Sequence, residues 1–147
     1  MKLDIPSAPS ERTPSARIEH QISPTAHLLY RLNADYNPLH ATPEPGRRAG
    51  LGGVIMHGLY TWNVTCRHLL ETFAGSQASS LRSFEGQFVK PVRPGDTLHI
   101  DAWVMSPKKH DSKWHEVRYL TSVNQEGVCL KGSAVMKVLP PAINPKL

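Results

Sequence analysis

One helical pattern in the middle of the chain limits its fold more than any other feature. Leu59, Trp62, Cys66, Leu69 and Phe73 recur at steps of three and four between Gly58 and Gly75. That spacing gathers apolar side chains on one helical face, and glycine is the residue type that most often ends a helix. The rest of the chain, beyond Gly75, reads as strands: Arg82 to Lys90, Thr97 to Met105, Lys113 to Val123 and Val128 to Leu139. The clearest is the third quarter of the chain, where Leu98, Ile100, Ala102 and Val104 alternate with Thr97, His99, Asp101 and Trp103, the period of a sheet packed on one face. Turn residues separate the strands at Pro94-Gly95-Asp96, Ser106-Pro107 and Asn124-Gln125-Glu126-Gly127, each with side chains suited to a tight reversal. A lone amphipathic helix followed by antiparallel strands must bury its face on the sheet they form. The expected fold is therefore α+β, an antiparallel sheet wrapped around one long central helix.

Composition narrows the class further. At 147 residues the chain suits a single domain that can bury a core without disulfides or metals. Hydrophobic and charged fractions of 39% and 20% are those of a globular protein. No apolar run is long enough to cross a bilayer, and the opening MKLDIPSAPSERTPSAR lacks the apolar middle of a secretory signal, so a soluble intracellular protein without a membrane partner is expected. Cys66 and Cys129 are far apart and have no CxxC partner, which points to two buried reduced thiols and to neither a disulfide framework nor a metal site. The +5 formal charge is spread along the chain, without the basic run interleaved with aromatics that single-stranded nucleic acid requires. Nucleic acid fits poorly. A small polyanionic ligand and a plain solvated surface explain the excess equally well.

The first half is less regular. Residues 1–16 read as a mobile N-terminal leader, 17–140 as the domain and 141–147 as a C-terminal tail. Arg17 to Ile22 alternates as a short strand would, and Ser23-Pro24 resembles an N-cap followed by proline in the first helical position. A helix through Leu28, Leu29 and Leu32 should follow and stop near Asn37-Pro38, since proline disfavours helical geometry in the residue before it. From Asp35 to Gly53, three prolines and four glycines after Asn37 predict mostly loop and turn.

That irregular stretch holds the residues best suited to chemistry. Asp35 and His40 stand five apart across a proline-fixed turn, close enough for a carboxylate and an imidazole to reach one water. Gly58 opens the long helix, and its N–H, backed by the helix dipole and unobstructed by a side chain, can stabilise a developing oxyanion. An Asp-x-Asn-Pro sequence is also an ordinary helix stop, and His57 beside Gly58 reads as structural, a ring that holds the turn through backbone hydrogen bonds. Trp62 reads as core.

The blocks Leu29-Tyr30-Arg31-Leu32-Asn33-Ala34-Asp35-Tyr36-Asn37-Pro38-Leu39-His40, Ile55-Met56-His57-Gly58-Leu59 and Phe88-Val89-Lys90-Pro91-Val92-Arg93-Pro94-Gly95-Asp96-Thr97-Leu98 together resemble the MaoC-like (R)-specific enoyl-CoA hydratases, the hydratase 2 family, from about Arg17 to Val138. The resemblance implies a single hot-dog domain. It implies (R)-specific hydration of trans-2-enoyl-CoA to the (3R)-hydroxyacyl-CoA by syn addition, and the reverse dehydration, with no cofactor beyond the coenzyme A of the acyl-thioester substrate. In that reading Asp35 and His40 hold the reacting water, Asn37 orients them and Gly58 makes the oxyanion contact. Asp35 is favoured as base toward water and His40 as proton donor to carbon, with the reverse split also open. Lys90 and Arg93 are candidates for the coenzyme A phosphates, as are Lys108 and Lys109, although solvated strand-end and loop charges are the better account of any one of them.

Departures from the family fall in the loop after His40. Ala41-Thr42-Pro43 leads to Glu44-Pro45-Gly46 where the family has a short helix, and Pro45 with Gly46 should weaken or remove it. Val54 replaces a common proline and Gln87 a common arginine. These changes leave dehydration of a specialised, polyketide-like intermediate as an alternative use of the same pair. A single hot-dog unit leaves a sheet edge and one side of the substrate tunnel uncovered, so a homodimer is expected. Pro145-Lys146-Leu147 resembles the Ser-Lys-Leu peroxisomal address with proline in the place of serine, which suggests a peroxisomal location and otherwise a cytoplasmic one.

Overall fold

A computed structural model of the protein describes residues 7–9, 11–107 and 112–139. Strands β1 (Ala16–Gln21), β2 (Leu81–Phe88), β3 (Thr97–Val104), β4 (His115–Val123) and β5 (Gly127–Met136) form one antiparallel sheet in the order β1-β3-β4-β5-β2. The 17-residue helix α3 (Gly58–Ala74) lies in its concave face. This is the expected helix-in-sheet architecture. Alternation decides most of the side chains buried against the helix: Leu98, Ile100 and Ala102 from β3, Val117, Tyr119, Thr121 and Val123 from β4, and Leu130, Ala134 and Met136 from β5 are buried, while Cys129, also buried, is the extra residue where the β4–β5 register shifts. Tyr119 crosses this core and donates its hydroxyl to the Glu85 carbonyl at 2.8 Å. Gly132, paired with Tyr119 across the ladder, leaves the space that ring needs, since a Cβ there would run into the Tyr119 hydroxyl and the Glu85 carbonyl.

The buried face of α3 differs from the expected one. Leu69 and Phe73 are in the core, but the positions that complete the stripe are Thr61 and Thr65, while Leu59 is 59% exposed and Trp62 and Cys66 are half-buried. Apolar spacing misjudged the face because two of its central residues are hydroxyl-bearing. Thr65 escapes the penalty of burial by sharing a 3.1 Å hydrogen bond with the equally buried Thr121 of the sheet. Trp62 packs edge-on against Phe84 at the border of the core.

Helix α1 (Ala26–Tyr30) begins two residues later than Ser23-Pro24 suggested and passes into a 3-10 turn, Arg31–Asn33. Ser23 still serves the entry, accepting the Thr25 N–H with its hydroxyl at 3.3 Å. Asp35 to Gly53 is mostly loop and turn as expected, with Pro38–His40 a 3-10 turn, but the expectation that Pro45 and Gly46 weaken or remove a helix is corrected at Pro43–Arg48, a short helix, α2. Pro43 and Pro45 both lie in the first turn of α2, where N–H groups have no helical partner, so neither ring removes a bond. Gly46 is tolerated because it is pressed against the returning loop. A Cβ at Gly46 would overlap the Gly53 carbonyl.

The described part of the expected leader is pinned across the sheet. Trp103 donates its indole N–H to the Arg12 carbonyl at 2.8 Å, Arg118 reaches the Ser7 carbonyl at 3.0 Å, and the Val104 N–H meets the Ser15 hydroxyl at 3.0 Å. Lys108, Lys109 and the C-terminal Pro-Lys-Leu lie outside the described residues. Among the described residues no helix is long and apolar enough to cross a membrane.

A chain of polar side chains stitches α3 to β1. Tyr60 lies 3.2 Å from His20 Nε2, His20 Nδ1 is 3.2 Å from His68 Nε2, and His68 Nδ1 is 3.0 Å from Glu71. Burial, then the neighbouring His68 and Arg67, hold the His20 pKa below its usual 6.5. Burial likewise lowers His27. The unfolded chain thus binds protons near pH 6.5 that the folded chain refuses, so the stability they carry is complete above that pH and is lost as pH falls through the lower folded values.

This packing can be tested by two measurements. Thermal melts in steps from about pH 7.5 to about pH 5.5 should show a falling midpoint, and a midpoint that stays level would contradict the burial of these rings. Gly46→Ala should lower stability by about 1–3 kcal/mol through forced displacement of the loop, read by denaturant unfolding. An unchanged midpoint would mean that α2 is not seated on Gly53.

Candidate active site

The site is assembled from two stretches of chain that meet at the start of α3. The first leaves α1 through Ala34, whose φ of 71° is left-handed and ends the helical run. Asp35, Tyr36 and Asn37 then turn sharply into Pro38–His40. Asn37 ties both ends of that turn: its N–H donates to Asp35 Oδ1 at 3.3 Å, and its own Oδ1 accepts the Leu39 N–H at 3.0 Å. Arg31 steadies the bend from outside, donating to the Tyr36 carbonyl at 2.9 Å and lying over the Tyr36 ring. The Asp-x-Asn-Pro sequence therefore acts as a helix stop and also as the mount of a carboxylate and an imidazole.

The second stretch is Ile55 to Gly58. Met56 donates its N–H to the Val92 carbonyl at 2.7 Å, and the Ile55 carbonyl accepts from His40 Nδ1 at 2.9 Å. That bond requires the proton on Nδ1 and leaves Nε2 as the free ring nitrogen. His40 is only 9% exposed, whereas the Asp35 side chain is 56% exposed. His57 precedes the first residue of α3 with its ring buried, its Nε2 3.3 Å from the Asp35 carbonyl oxygen and 3.6 Å from Oδ2. Its ring stacks on His40 with centroids 3.8 Å apart and planes 24° apart. Burial chiefly, with His40 and Arg31 adding to it, holds the His57 pKa below its usual value.

Asp35, His40 and His57 each bring a donor atom within 4.8 Å of the others. Three such groups could be considered for a metal ion. The near-parallel stacking of the two imidazoles sets their ring nitrogens side by side, whereas a shared ion needs lone pairs that converge. The arrangement suits the holding of a water and the exchange of a proton better than coordination.

His40 and Gly58 open onto a cavity of about 310 Å3 lined also by Ile55, Met56, Thr61, Phe88 and Cys129. Gly58 begins α3, so its N–H is one that no helical turn satisfies. Its missing side chain is filled by Phe88, whose ring carbons would lie 3.2 to 3.5 Å from a Cβ there. Of the two basic residues singled out, Lys90 lines this cavity. Arg93 does not, and instead donates to the Leu51 carbonyl at 2.8 Å, across the loop that follows α2. The structure thus brings together Asp35, His40, Asn37, Gly58 and Lys90 and sets Arg93 to one side. Nothing in the sequence signals that the His57 ring reaches Asp35, 22 positions away, or that Phe88, Thr61 and Cys129 share a cavity wall.

Comparison with known proteins gives this geometry a family. The chain is 44% identical over its full length to a probable dehydratase of Ajellomyces capsulatus, of which it covers 41%, and 31% identical over 90% of its length to a probable enoyl-CoA hydratase 2 of Dictyostelium discoideum, of which it covers 43%. Its fold superposes on the peroxisomal multifunctional enzyme type 2 of Drosophila melanogaster with a TM-score of 0.78 at 30% identity, over 92% of this chain and 24% of that one. The chain spans less than half the length of each. The pattern of the MaoC-like domain matches residues 6–126, and with the central helix held in a five-stranded antiparallel sheet, the chain belongs to the MaoC-like domain family, with its hot-dog fold.

Proposed function

We propose that this chain is a hydro-lyase that adds water to trans-2-enoyl-CoA to give the (3R)-hydroxyacyl-CoA and runs the reverse dehydration. One observation carries the proposal. His40, its Nδ1 held by the Ile55 carbonyl, lies on the wall of an apolar cavity beside the first residue of α3, with a ring nitrogen within 4.8 Å of the Asp35 carboxylate. A water between Asp35 and His40 attacks the β carbon while the electron pair of the double bond moves toward the thioester oxygen. The Gly58 N–H is placed to stabilise that oxygen. The protons balance when His40 starts as the imidazolium, with Nδ1–H on the Ile55 carbonyl and a second proton on Nε2: water loses one to the Asp35 carboxylate, the α carbon gains the Nε2 proton of His40, and transfer from Asp35 to Nε2 resets the site. Asn37 keeps both groups on one turn. The enoyl-CoA hydratase 2 name of the Dictyostelium relative supports the reaction class.

Lys90, on the cavity wall, is the better placed of the two basic residues to meet a coenzyme A phosphate, because Arg93 already has a backbone partner. A second reading, dehydration of a specialised 3-hydroxyacyl thioester, is favoured by the 44% identical relative named a probable dehydratase. The Drosophila enzyme's peroxisomal name supports the peroxisomal location suggested by Pro145-Lys146-Leu147.

The second hot-dog unit that covers the open side is, in this proposal, another copy of the chain. Leu28, Leu29, Leu32, Tyr36, Leu59, Phe88 and Val89 are all exposed, and they flank the segments that build the site. Such a group of large apolar side chains marks a surface that pairs.

Loss of the conjugated enoyl-thioester absorbance, followed with short, medium and long CoA substrates, tests the chemistry. Asp35→Asn and His40→Gln should each lower kcat by about 10²- to 10⁴-fold. Full activity in both variants would remove the assigned pair, and no turnover by folded wild type with any of them would remove the reaction. A 3-hydroxyacyl substrate turned over while simple enoyl-CoA is not would move the assignment to the second reading. Sedimentation should give twice the 16.3 kDa chain mass, with Leu29→Asp shifting it toward the monomer; a wild-type monomer that is fully active would overturn the pairing.

A further inference from the structure

His57 occupies the cap position of α3, and its backbone has the extended geometry of an N-cap, with φ −60° and ψ 135°. Yet its side chain makes no cap hydrogen bond. Serine, threonine, aspartate or asparagine would serve that position better. The ring instead turns inward until the residue is 3% exposed. Nδ1 is buried without a hydrogen-bond partner, an arrangement that works against stability. A residue that forgoes its local bond and accepts such a burial is held by its other contacts.

Those contacts are with the proposed catalytic pair and the helix that leads to it. The two atoms beside Nε2, the Asp35 carbonyl oxygen at 3.3 Å and Oδ2 at 3.6 Å, are both acceptors. Nε2 must therefore carry the proton, and Nδ1 keeps its lone pair. One face of the ring lies on His40 at 3.8 Å, and Tyr30 packs against it at 5.0 Å. A single planar group thus meets both residues: its N–H edge is bonded to the Asp35 carbonyl with the carboxylate Oδ2 alongside at 3.6 Å, and its face lies on the His40 imidazole. Asp35 sits on an exposed turn, its side chain 56% open to water; the Asn37 N–H holds Oδ1, and the buried His57 Nε2–H is the donor that faces Oδ2. Burial also keeps the ring uncharged, so it can lie against His40 without repelling a proton there.

We propose that His57 is the positioning residue of the Asp35–His40 pair, acting as a neutral Nε2–H tautomer that aims the carboxylate with its edge and braces the His40 ring with its face. The inference rests on the hydratase reading for its kinetic consequence but not for its tautomer. It gives His57 a task beyond holding the turn. Asp35 and His40 touch the water, and His57 acts through them.

Two substitutions separate its functions. His57→Phe keeps a flat ring over His40 and removes the donor, whereas the amide of His57→Gln can donate where Nε2–H does. With wild type turning over enoyl-CoA, His57→Phe should lower kcat by about 10- to 100-fold with KM within about twofold, and His57→Gln should recover most of that loss. Nitrogen-15 spectra of the labelled wild-type protein should show His57 in the Nε2–H form across neutral pH. An unchanged kcat in His57→Phe, beside an active wild type, would overturn the proposal, as would a His57 found charged or protonated at Nδ1. If wild type turns over no enoyl-CoA, it is the hydratase reading that fails, and the spectra still decide the tautomer. If His57→Phe does not fold, the spectra and His57→Gln decide alone, a kcat in His57→Gln within about tenfold of wild type supporting the proposal and a larger loss opposing it.

Discussion

The hydrogen bond from His40 Nδ1 to the Ile55 carbonyl is the interaction on which the site depends. It joins the turn that carries Asp35 and His40 to the run that enters α3, two pieces of chain separated by the loop from Ala41 to Val54. Its 2.9 Å length fixes the imidazole tautomer, and the Ile55 N–H reaches back to the Leu39 carbonyl at 3.5 Å. Met56 continues the link, its N–H bound to the Val92 carbonyl at 2.7 Å, so the short strand-like run is held between the turn and the approach to β3. A neutral hydrogen bond contributes only about 1 kcal/mol net. Its consequence is mainly geometric: it holds the His40 ring on the wall of the cavity that Gly58 also lines.

The loop that closes this junction is kept short and stiff by contacts that look at first like weaknesses. Gly46 removes the side chain that would strike the Gly53 carbonyl, and the Leu51 N–H returns to the Gly46 carbonyl at 2.8 Å. Arg93 then clamps the far side, with one guanidinium nitrogen on the Leu51 carbonyl and set so close over Gly52 that a Cβ there would meet it at 3.0 Å. Asp96 in turn accepts the Arg93 backbone N–H at 2.7 Å. A basic residue at a strand approach reads from sequence as a phosphate ligand. Here its first partner is the protein's own backbone, and its position explains how a loop with three glycines at positive φ, Gly50, Gly52 and Gly53, holds one shape.

How much of this could be read in the sequence depends on the range of the interactions involved. The strands were legible because period two is local: β1, β3, β4 and β5 fall within three residues of where alternation put them. The long helix was legible as an element from its spacing and from Gly75, but its buried face was not, because Thr65 enters the core only by pairing with Thr121, 56 positions away. Helix α2 was hidden for a related reason. Proline and glycine argue against a helix on local grounds, and only the first-turn placement of Pro45 and the contact of Gly46 with Gly53 reverse that argument. The site residues stood out as a motif because Asp35, Asn37 and His40 lie on one turn. The His57 contacts did not, since nothing in the neighbourhood of a helix N-terminus says which way a ring will face.

The cavity wall changes where acyl selectivity should be sought. The unusual loop was the natural suspect, yet the residues lining the cavity come from His40, from Ile55, Met56, Gly58 and Thr61, from Phe88 to Val92, and from Cys129, with none between Ala41 and Val54. The loop acts by holding His40 and Ile55 together, while Met56, Phe88 and Val92 shape the space. Cys129 sets a condition of its own. With the proposed acyl thioester bound, a thiolate in the cavity wall would attack the substrate carbonyl and displace coenzyme A. Burial pushes this thiol up to about 11, and its S–H donates to the Thr121 carbonyl at 3.2 Å. Held protonated at neutral pH, it is an apolar element of the cavity wall. The same burial that builds the core around Thr65 and Thr121 therefore also keeps a nucleophile silent where the proposed thioester would bind.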